Sequence, residues 1–193
     1  MSDKVIIEKV NVLSDEWSQL YQYVIKYRRE DGRIETQFRE IHDTGNAACI
    51  LMYNPTNQCI ILIKQFRLAT LINGHKTGFI YEVPAGLIED EDHSETIQRE
   101  AIEETGYGVK NLKFLYNAYT TPGAKTELTA FYYGEYDTST SVSSGGGLAD
   151  EQEEIEVIEI PLAQAIEMVM TNEIVDLKTI CLIQWAENNI RQH

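Results

Sequence analysis

Gly86 to Tyr107 reads GLIEDEDHSETIQREAIEETGY. Within it, Arg99-Glu100-Ala101-Ile102-Glu103-Glu104-Thr105-Gly106 sets three glutamates where a helix gathers them on one side. At ~3.6 residues per turn, Glu100, Glu103 and Glu104 fall within roughly 100° of circumference, and Ile97, Ala101 and Ile102 take a different arc. Like charges at i and i+4 destabilise an isolated helix, so something cationic is expected among them. Hard divalent ions with oxygen ligands, magnesium above all, meet that demand and commonly recruit substrate phosphates as further ligands. Ser94 is the expected N-cap and Gly106 the C-terminal stop. The competing reading of such a charge run is a solvated acidic face.

On the N-terminal side of this helix the pattern is extended from Lys4 to His42: VIIEKVNVL, LYQYVIKYRRE, a turn at Asp31-Gly32, then RIETQFREIH. Glu30-Asp31-Gly32 between β-rich runs is a strong hairpin signal. These segments predict a small antiparallel sheet over residues 1–43, ahead of a main domain over 44–193. AACILMYN and QCIILIKQF, joined at Asn54-Pro55-Thr56-Asn57, are nearly continuous apolar runs and predict two core strands of a hairpin. A loop over 74–78 and a short strand from Phe79 to Val83 lead through Pro84 to the acidic helix. Strands are expected around 113–120 and 127–136, the second begun by Glu127. Thr138 to Gly147 is a Ser/Thr/Gly stretch of low complexity, expected to be flexible. Asp150, Glu151, Glu153 and Glu154 follow, then the strand IEVIEI. Leu162–Thr171 and Leu177–Ile190 have helical periodicity, with Pro161 at the start of the first.

At 193 residues, 43% apolar and 24% charged, the chain reads as a globular protein with a proper core. No apolar run approaches the ~20 residues of a membrane helix. No apolar signal segment follows Met-Ser-Asp-Lys, so a cytoplasmic location is expected. Cys49, Cys59 and Cys181 sit in apolar surroundings and are expected as buried, reduced thiols without metal-binding spacing. A formal charge of −15 argues against nucleic-acid binding, which needs a basic face. A nucleotide substrate remains compatible, because a divalent ion inverts the local sign of a site.

Chemistry on a phosphate held at such an ion requires neutralised phosphoryl charge and an aimed water, which metal ions supply. Carboxylates hold the metal, one more accepts the water's proton, and cationic side chains complete the clamp. A loop carboxylate carried on a hinge of three glycines could complete such a site, and Glu151 is favoured, with Glu153 close behind. A solvated acidic loop is the plainer alternative. Arg39 and Arg67 close β-like segments, where guanidiniums grip phosphates bidentately or form surface salt bridges. Trp17, in the link between the first two strands, stacks on a nucleobase or packs into a core.

The acidic stretch resembles the signature of the Nudix hydrolases: Gly, five residues, Glu, seven residues, then Arg-Glu-apolar-x-Glu-Glu-x-Gly-apolar. Arg99 through Tyr107 matches the second half completely. In the first half the spacing is one residue short. Counted from Gly86 the Glu position holds Asp92, and counted back from Arg99 it holds Glu91. The resemblance implies an α/β/α sandwich with a mixed sheet. It further implies Mg2+, with Mn2+ as substitute, held by Glu100, Glu104 and the Ala85 carbonyl, with Glu103 taking a share; the loop reading adds Glu151 as metal ligand or base. Arg99 would orient the helix glutamates.

Glu82-Val-Pro-Ala-Gly86 and Thr121-Pro-Gly123 are similar to the branch that cleaves nucleoside diphosphate sugars, ADP-ribose pyrophosphatases included. LSDEW, REIHDTGNAACILMYN, IKQFRLATLINGH, GGG before Asp150-Glu151, IEVIEIP and NEIVDLKT resemble the bacterial GDP-mannose pyrophosphatases of that branch. That resemblance implies sugar-nucleotide contacts at Trp17, the Phe38-Arg39-Glu40 strand, Arg67, Ala85, Gly86, Leu87, Glu104, Glu127, Asp150, Glu151 and Lys178. It also implies a homodimer in which the N-terminal sheet of one subunit reaches the site of the other. The expected reaction is hydrolysis of GDP-mannose, with ADP-ribose hydrolysis as the alternative enzyme activity. A ligand-sensing module on the same fold is the non-enzymatic alternative.

Overall fold

The N-terminal extended segments form β1 (Val5–Asp15), β2 (Gln19–Arg28) and β3 (Ile34–Asp43), paired antiparallel in that order. Between β2 and β3, the Arg29 N–H donates to the Arg33 carbonyl at 2.8 Å, and Gly32 supplies the left-handed residue at φ +83°. The computed structural model describes residues 4–89, 92–147 and 154–190. Two compact units form, Met1–Asn46 with Tyr119–Leu128, and Ala47–Ala118 with Thr129–His193. In the first unit the segment after Tyr119 runs beside the end of β3, where the His42 N–H donates to the Ala124 carbonyl at 2.8 Å. Among the described residues from 4 to 45 none is buried, and Ile6, Val12, Ile34 and Phe38 are each at least 60% exposed. This sheet therefore has no core of its own.

The second unit contains β4 (Asn46–Asn54), β5 (Cys59–Phe66), α1 (Leu68–Ile72), β6 (Phe79–Glu82), β7 (Ala85–Ile88), α2 (His93–Thr105), β8 (Lys110–Tyr119), β9 (Leu128–Glu135), β10 (Glu156–Pro161), α3 (Leu162–Met170) and α4 (Leu177–Asn189). The strands make one seven-stranded mixed sheet in the order β10-β5-β4-β9-β8, with β6 added to β5 and β7 to β4. The β4–β9 pair is parallel, whereas β5 pairs antiparallel with β4, β6 and β10. Alternate residues of β4 enter two cores: Cys49, Leu51 and Tyr53 one, Ala48, Ile50 and Met52 the other. Helix α2 covers the second core with Ile97 and Ala101, and α3 and α4 cover the first with Leu162, Ala165, Leu182 and Ile183. Burial on both faces explains why β4 and β5 are continuous apolar runs, and the result is an α/β/α sandwich.

One departure from regular pairing builds the site. β4 and β5 pair only over Met52–Asn54 and Cys59–Ile61, then part. β6 continues on β5 from Ile63 to Phe66, and the Ile50 N–H of β4 donates to the Pro84 carbonyl at 3.0 Å. Val83-Pro84 thus crosses a split in the sheet and delivers Ala85 and Gly86 to its far side, where α2 packs against β7. Neither α1 nor β7 was expected from the pattern, because five and four residues are too short to display a period.

Three expectations are corrected. Asp92, not Ser94, caps α2: its carboxylate accepts the Ser94 N–H at 2.8 Å and the Ser94 hydroxyl at 2.6 Å, so the helix begins at His93. Only Cys49 is buried, while Cys59 and Cys181 are partly exposed. Pro161 precedes α3 as its N-cap residue instead of opening the helix.

Candidate active site

Thr96, Ile97, Ala101 and Thr105 of α2 are buried, which fixes the rotation of the helix and the direction of its glutamates. Glu104 is only 2% exposed, and its Oε2 accepts the Ala85 N–H at 3.0 Å. The Glu100 carboxylate lies against Gly86: a Cβ there would stand 2.2 Å from Glu100 Cδ. Arg99 Nη1 is 3.1 Å from Glu100 Oε1 and 2.7 Å from Glu103 Oε2, so one guanidinium bridges two carboxylates. Three carboxylates are thus gathered beside the Arg99 guanidinium within little more than one turn of helix. That donor set, hard carboxylate oxygens gathered on one turn of helix, fits a divalent cation of the Mg2+ type. Among the described residues no three His, Cys, Asp or Glu side chains converge as a ready metal site, so an ion here needs ligands beyond these side chains.

The glycine stretch expected as a flexible hinge is instead packed onto the C-terminus of α2. Gly145, Gly146 and Gly147 all have left-handed φ, at +64°, +109° and +79°. The Gly146 N–H donates to the Glu104 carbonyl at 2.9 Å and the Gly147 N–H to the Glu103 carbonyl at 3.2 Å. These bonds satisfy carbonyls that a helix end otherwise leaves orphaned. A Cβ on Gly145 would meet the Thr105 carbonyl carbon at 2.5 Å and the Glu104 carbonyl oxygen at 2.6 Å. Gly145 thus serves a close backbone approach, and Gly146 and Gly147 supply the left-handed φ that brings their N–H groups to the helix end. Asp150, Glu151 and Glu153 lie outside the described residues, as does Glu91, and Glu154 is exposed.

Arg67 and Lys178, expected at the substrate, converge on Glu82 at the end of β6. Arg67 Nε is 2.6 Å from Glu82 Oε1 and its Nη2 is 3.0 Å from Oε2, while Lys178 Nζ also pairs with Oε2. Lys178 is shared with Asp176 at 3.1 Å. Burial works to raise the carboxyl pKa of Glu82, which is 2% exposed, but the Lys178 charge and the Arg67 bond hold it down at about 2. Burial likewise opposes the Lys178 charge, and Glu82 and Asp176 overcome it, so the ammonium is held above its ordinary pKa. Glu82 went unnoticed as a functional residue in the sequence; its signal is a lone acid in the otherwise apolar strand FIYEV.

The other candidates fall in the first unit, apart from Leu87, which is 41% exposed on β7. Trp17 is 83% exposed beside a cavity of about 350 Å³ shared with Ser14, Glu16, Ser18, Leu20 and His42. Arg39 and Glu40 are exposed neighbours on β3, and Arg39 Nη2 donates to Gln37 Oε1 at 2.8 Å. Glu127 precedes β9 rather than opening it, and accepts the Thr120 hydroxyl at 2.9 Å and the Thr44 hydroxyl at 3.2 Å.

A family model described as NUDIX domain matches residues 43–180, and one described as GDP-mannose pyrophosphatase NudK N-terminal domain matches residues 4–42. The chain is 44% identical over 186 residues to a GDP-mannose pyrophosphatase of Pectobacterium atrosepticum, covering 96% of this chain and 95% of that protein. It is 40% identical over 187 residues to a GDP-mannose pyrophosphatase of Escherichia coli O1:K1, covering 97% of each. A protein of that name in Shigella boydii serotype 4 is 39% identical over 189 residues, covering 98% of each.

Proposed function

The chain belongs to the Nudix family, and we propose that it hydrolyses the diphosphate of GDP-mannose to GMP and mannose 1-phosphate, with Mg2+ as cofactor and Mn2+ as substitute. Nudix hydrolases generally depend on a divalent metal. The observation that carries the reading is the α2 carboxylate cluster beneath the Ala85-Gly86 turn, where Glu104 accepts the Ala85 N–H and Glu100 lies against Gly86. Relatives named for this substrate over nearly their whole length supply the choice of sugar nucleotide.

Glu100, Glu104 and the Ala85 carbonyl would hold the ion, with Glu103 and Glu151 as further acids. When bound, it polarises phosphoryl oxygens and lowers the pKa of water. Arg99, hydrogen-bonded to Glu103 and paired with Glu100, keeps both carboxylates aimed. Arg67 and Lys178 present cationic groups to the diphosphate, and Glu151 takes the proton of the attacking water. Trp17, Arg39 and Glu40 contact the sugar nucleotide from the N-terminal sheet, joined by Gly86, Leu87, Glu127 and Asp150.

A sheet that exposes apolar side chains on a unit with no buried residue among the described ones needs a covering surface, which supports a homodimer whose N-terminal sheets serve the partner's site. Among the described residues no helix is long and apolar enough to cross a membrane. We place the enzyme in the cytoplasm.

Purified protein with Mg2+ is expected to release GMP from GDP-mannose with a kcat/KM above that for ADP-ribose; failure to turn over either substrate refutes the reading. Glu104→Gln keeps an acceptor for the Ala85 N–H but loses the charge. It is expected to fold normally while kcat falls by ~100-fold or more, as for removal of a group acting in the transition state.

A further inference from the structure

We infer that Glu82 is a positioning residue for the proposed reaction: it holds the Arg67 guanidinium and the Lys178 ammonium together so that both meet the diphosphate of the nucleotide. The inference rests on the proposed roles of Arg67 and Lys178, and assigns a new role to the carboxylate between them.

The geometry is that of a hub. Glu82 is 2% exposed, and both of its oxygens are taken by cations from distant parts of the chain. Arg67 follows β5 and is the residue that leads into α1, and Lys178 lies in the first turn of α4. Their side chains remain partly accessible, at 45% and 16%, while the acid that holds them is at 3%. A carboxylate buried behind two more accessible cations fixes their direction without competing for the space in front of them. A fork of guanidinium on carboxylate is directional, so the remaining N–H groups of Arg67 have a set orientation.

The hub is also tied to the carboxylate cluster. The Val83 N–H donates to Thr179 Oγ1 at 2.8 Å, and Thr179 Oγ1 donates to Asp176 Oδ2 at 2.7 Å. Asp176 caps α4 and pairs with Lys178, which closes the circuit on Glu82. This circuit fastens the start of α4 to the Glu82-Val83 link, and the chain reaches Ala85, the residue bonded to Glu104, two positions later. Cation clamp and acidic helix are therefore registered through one short segment of backbone. Arg67, Lys178, Glu82 and Asp176 together carry no net formal charge, so the cluster tolerates burial before the anion arrives.

The test is Glu82→Gln, alone and in an Arg67→Met/Lys178→Met background, with GDP binding measured by calorimetry in Mg2+ beside steady-state kinetics on GDP-mannose. The expected result is a rise of about tenfold or more in both Kd and KM, larger than the change in kcat, as for loss of one partner of a desolvated charge pair. In the background lacking both cations the same substitution is expected to have no further effect. GDP binding and KM within twofold of the parent, or a loss of full size in the double background, overturns the inference. Glu82→Asp, which keeps the charge but withdraws it by one methylene, serves if Glu82→Gln does not fold, and is expected to raise KM in the same way. A parent protein that binds GDP but hydrolyses no sugar nucleotide, with binding weakened by Glu82→Gln, sinks the proposed activity and leaves the positioning role standing. Turnover of GDP-mannose with no effect of Glu82→Gln does the reverse.

Discussion

Gly86→Ala separates the carboxylate site from the stability of the fold. Gly86 has no left-handed φ to lose, and the three atoms nearest the added methyl all belong to the Glu100 side chain: Cδ and Oε1 at 2.2 Å and Cγ at 2.5 Å. Carbon contacts settle near ~3.5–4.0 Å, so the carboxylate must withdraw by more than about 1 Å. The glutamate side chain is flexible and 17% exposed, which gives it somewhere to go. The thermodynamic cost is the partly exposed pair with Arg99, worth up to ~1 kcal/mol, and rotamer strain of about 0.5–1.5 kcal/mol. The catalytic cost is larger, because a ~1 Å misplacement at an active site lowers rate by ~100-fold, or about 2.7 kcal/mol of barrier. Thermal melting and GMP release are measured in parallel, with Gly123→Ala as control, since a Cβ at that position has nothing within 4 Å. The expected outcome is a melting temperature lowered by a few degrees, activity reduced by ~100-fold or more, and weakened Mg2+ binding by calorimetry. Parent-like Mg2+ affinity and turnover in Gly86→Ala would refute the assignment of Glu100 to the metal.

Gly145→Ala should act the other way, on stability first. The left-handed φ costs ~1–2 kcal/mol and the methyl strikes backbone that cannot rotate aside, so a loss of at least ~2 kcal/mol is expected in urea titrations. The Tyr136 hydroxyl is buried without a hydrogen-bond partner among the described residues, so Tyr136→Phe is expected to be neutral or to stabilise by up to ~1–3 kcal/mol, read from the same titrations. Because the Glu82 pKa is depressed from 4.5 to about 2, its contribution to stability is complete above pH 4.5 and is lost as the pH falls toward 2. Denaturation midpoints followed from pH 5.0 to 2.0 should show that acid limb in the parent and one smaller by about one carboxylate's worth of protons in Glu82→Gln.

Much of the architecture was legible because it depends on local pattern. Continuous apolar runs marked β4 and β5 as strands covered on both faces, and Arg99 to Gly106 marked a helix with one acidic side ended by a left-handed glycine. Asp31-Gly32 marked the N-terminal hairpin for the same reason. The signature also drew attention to the glutamates themselves, since three like charges in one turn require a counter-charge.

What the linear pattern could not contain is what the tertiary structure decided. The parting of β4 from β5 brings Ala85 and Gly86 to Glu104 and Glu100, and no local periodicity records where two strands stop pairing. Glycines 145 to 147 have the composition of a flexible linker, yet the missing side chain of Gly145 admits a backbone approach to α2 and the left-handed φ of all three turns N–H groups of Gly146 and Gly147 onto its last carbonyls. Glu82, Arg67 and Lys178 are far apart in the chain and meet only once strand and helix are packed. Local propensity acts over a few residues and is written in their order. Desolvation and ion pairing act through space, so the partner of a buried charge is chosen only when the fold has closed around it.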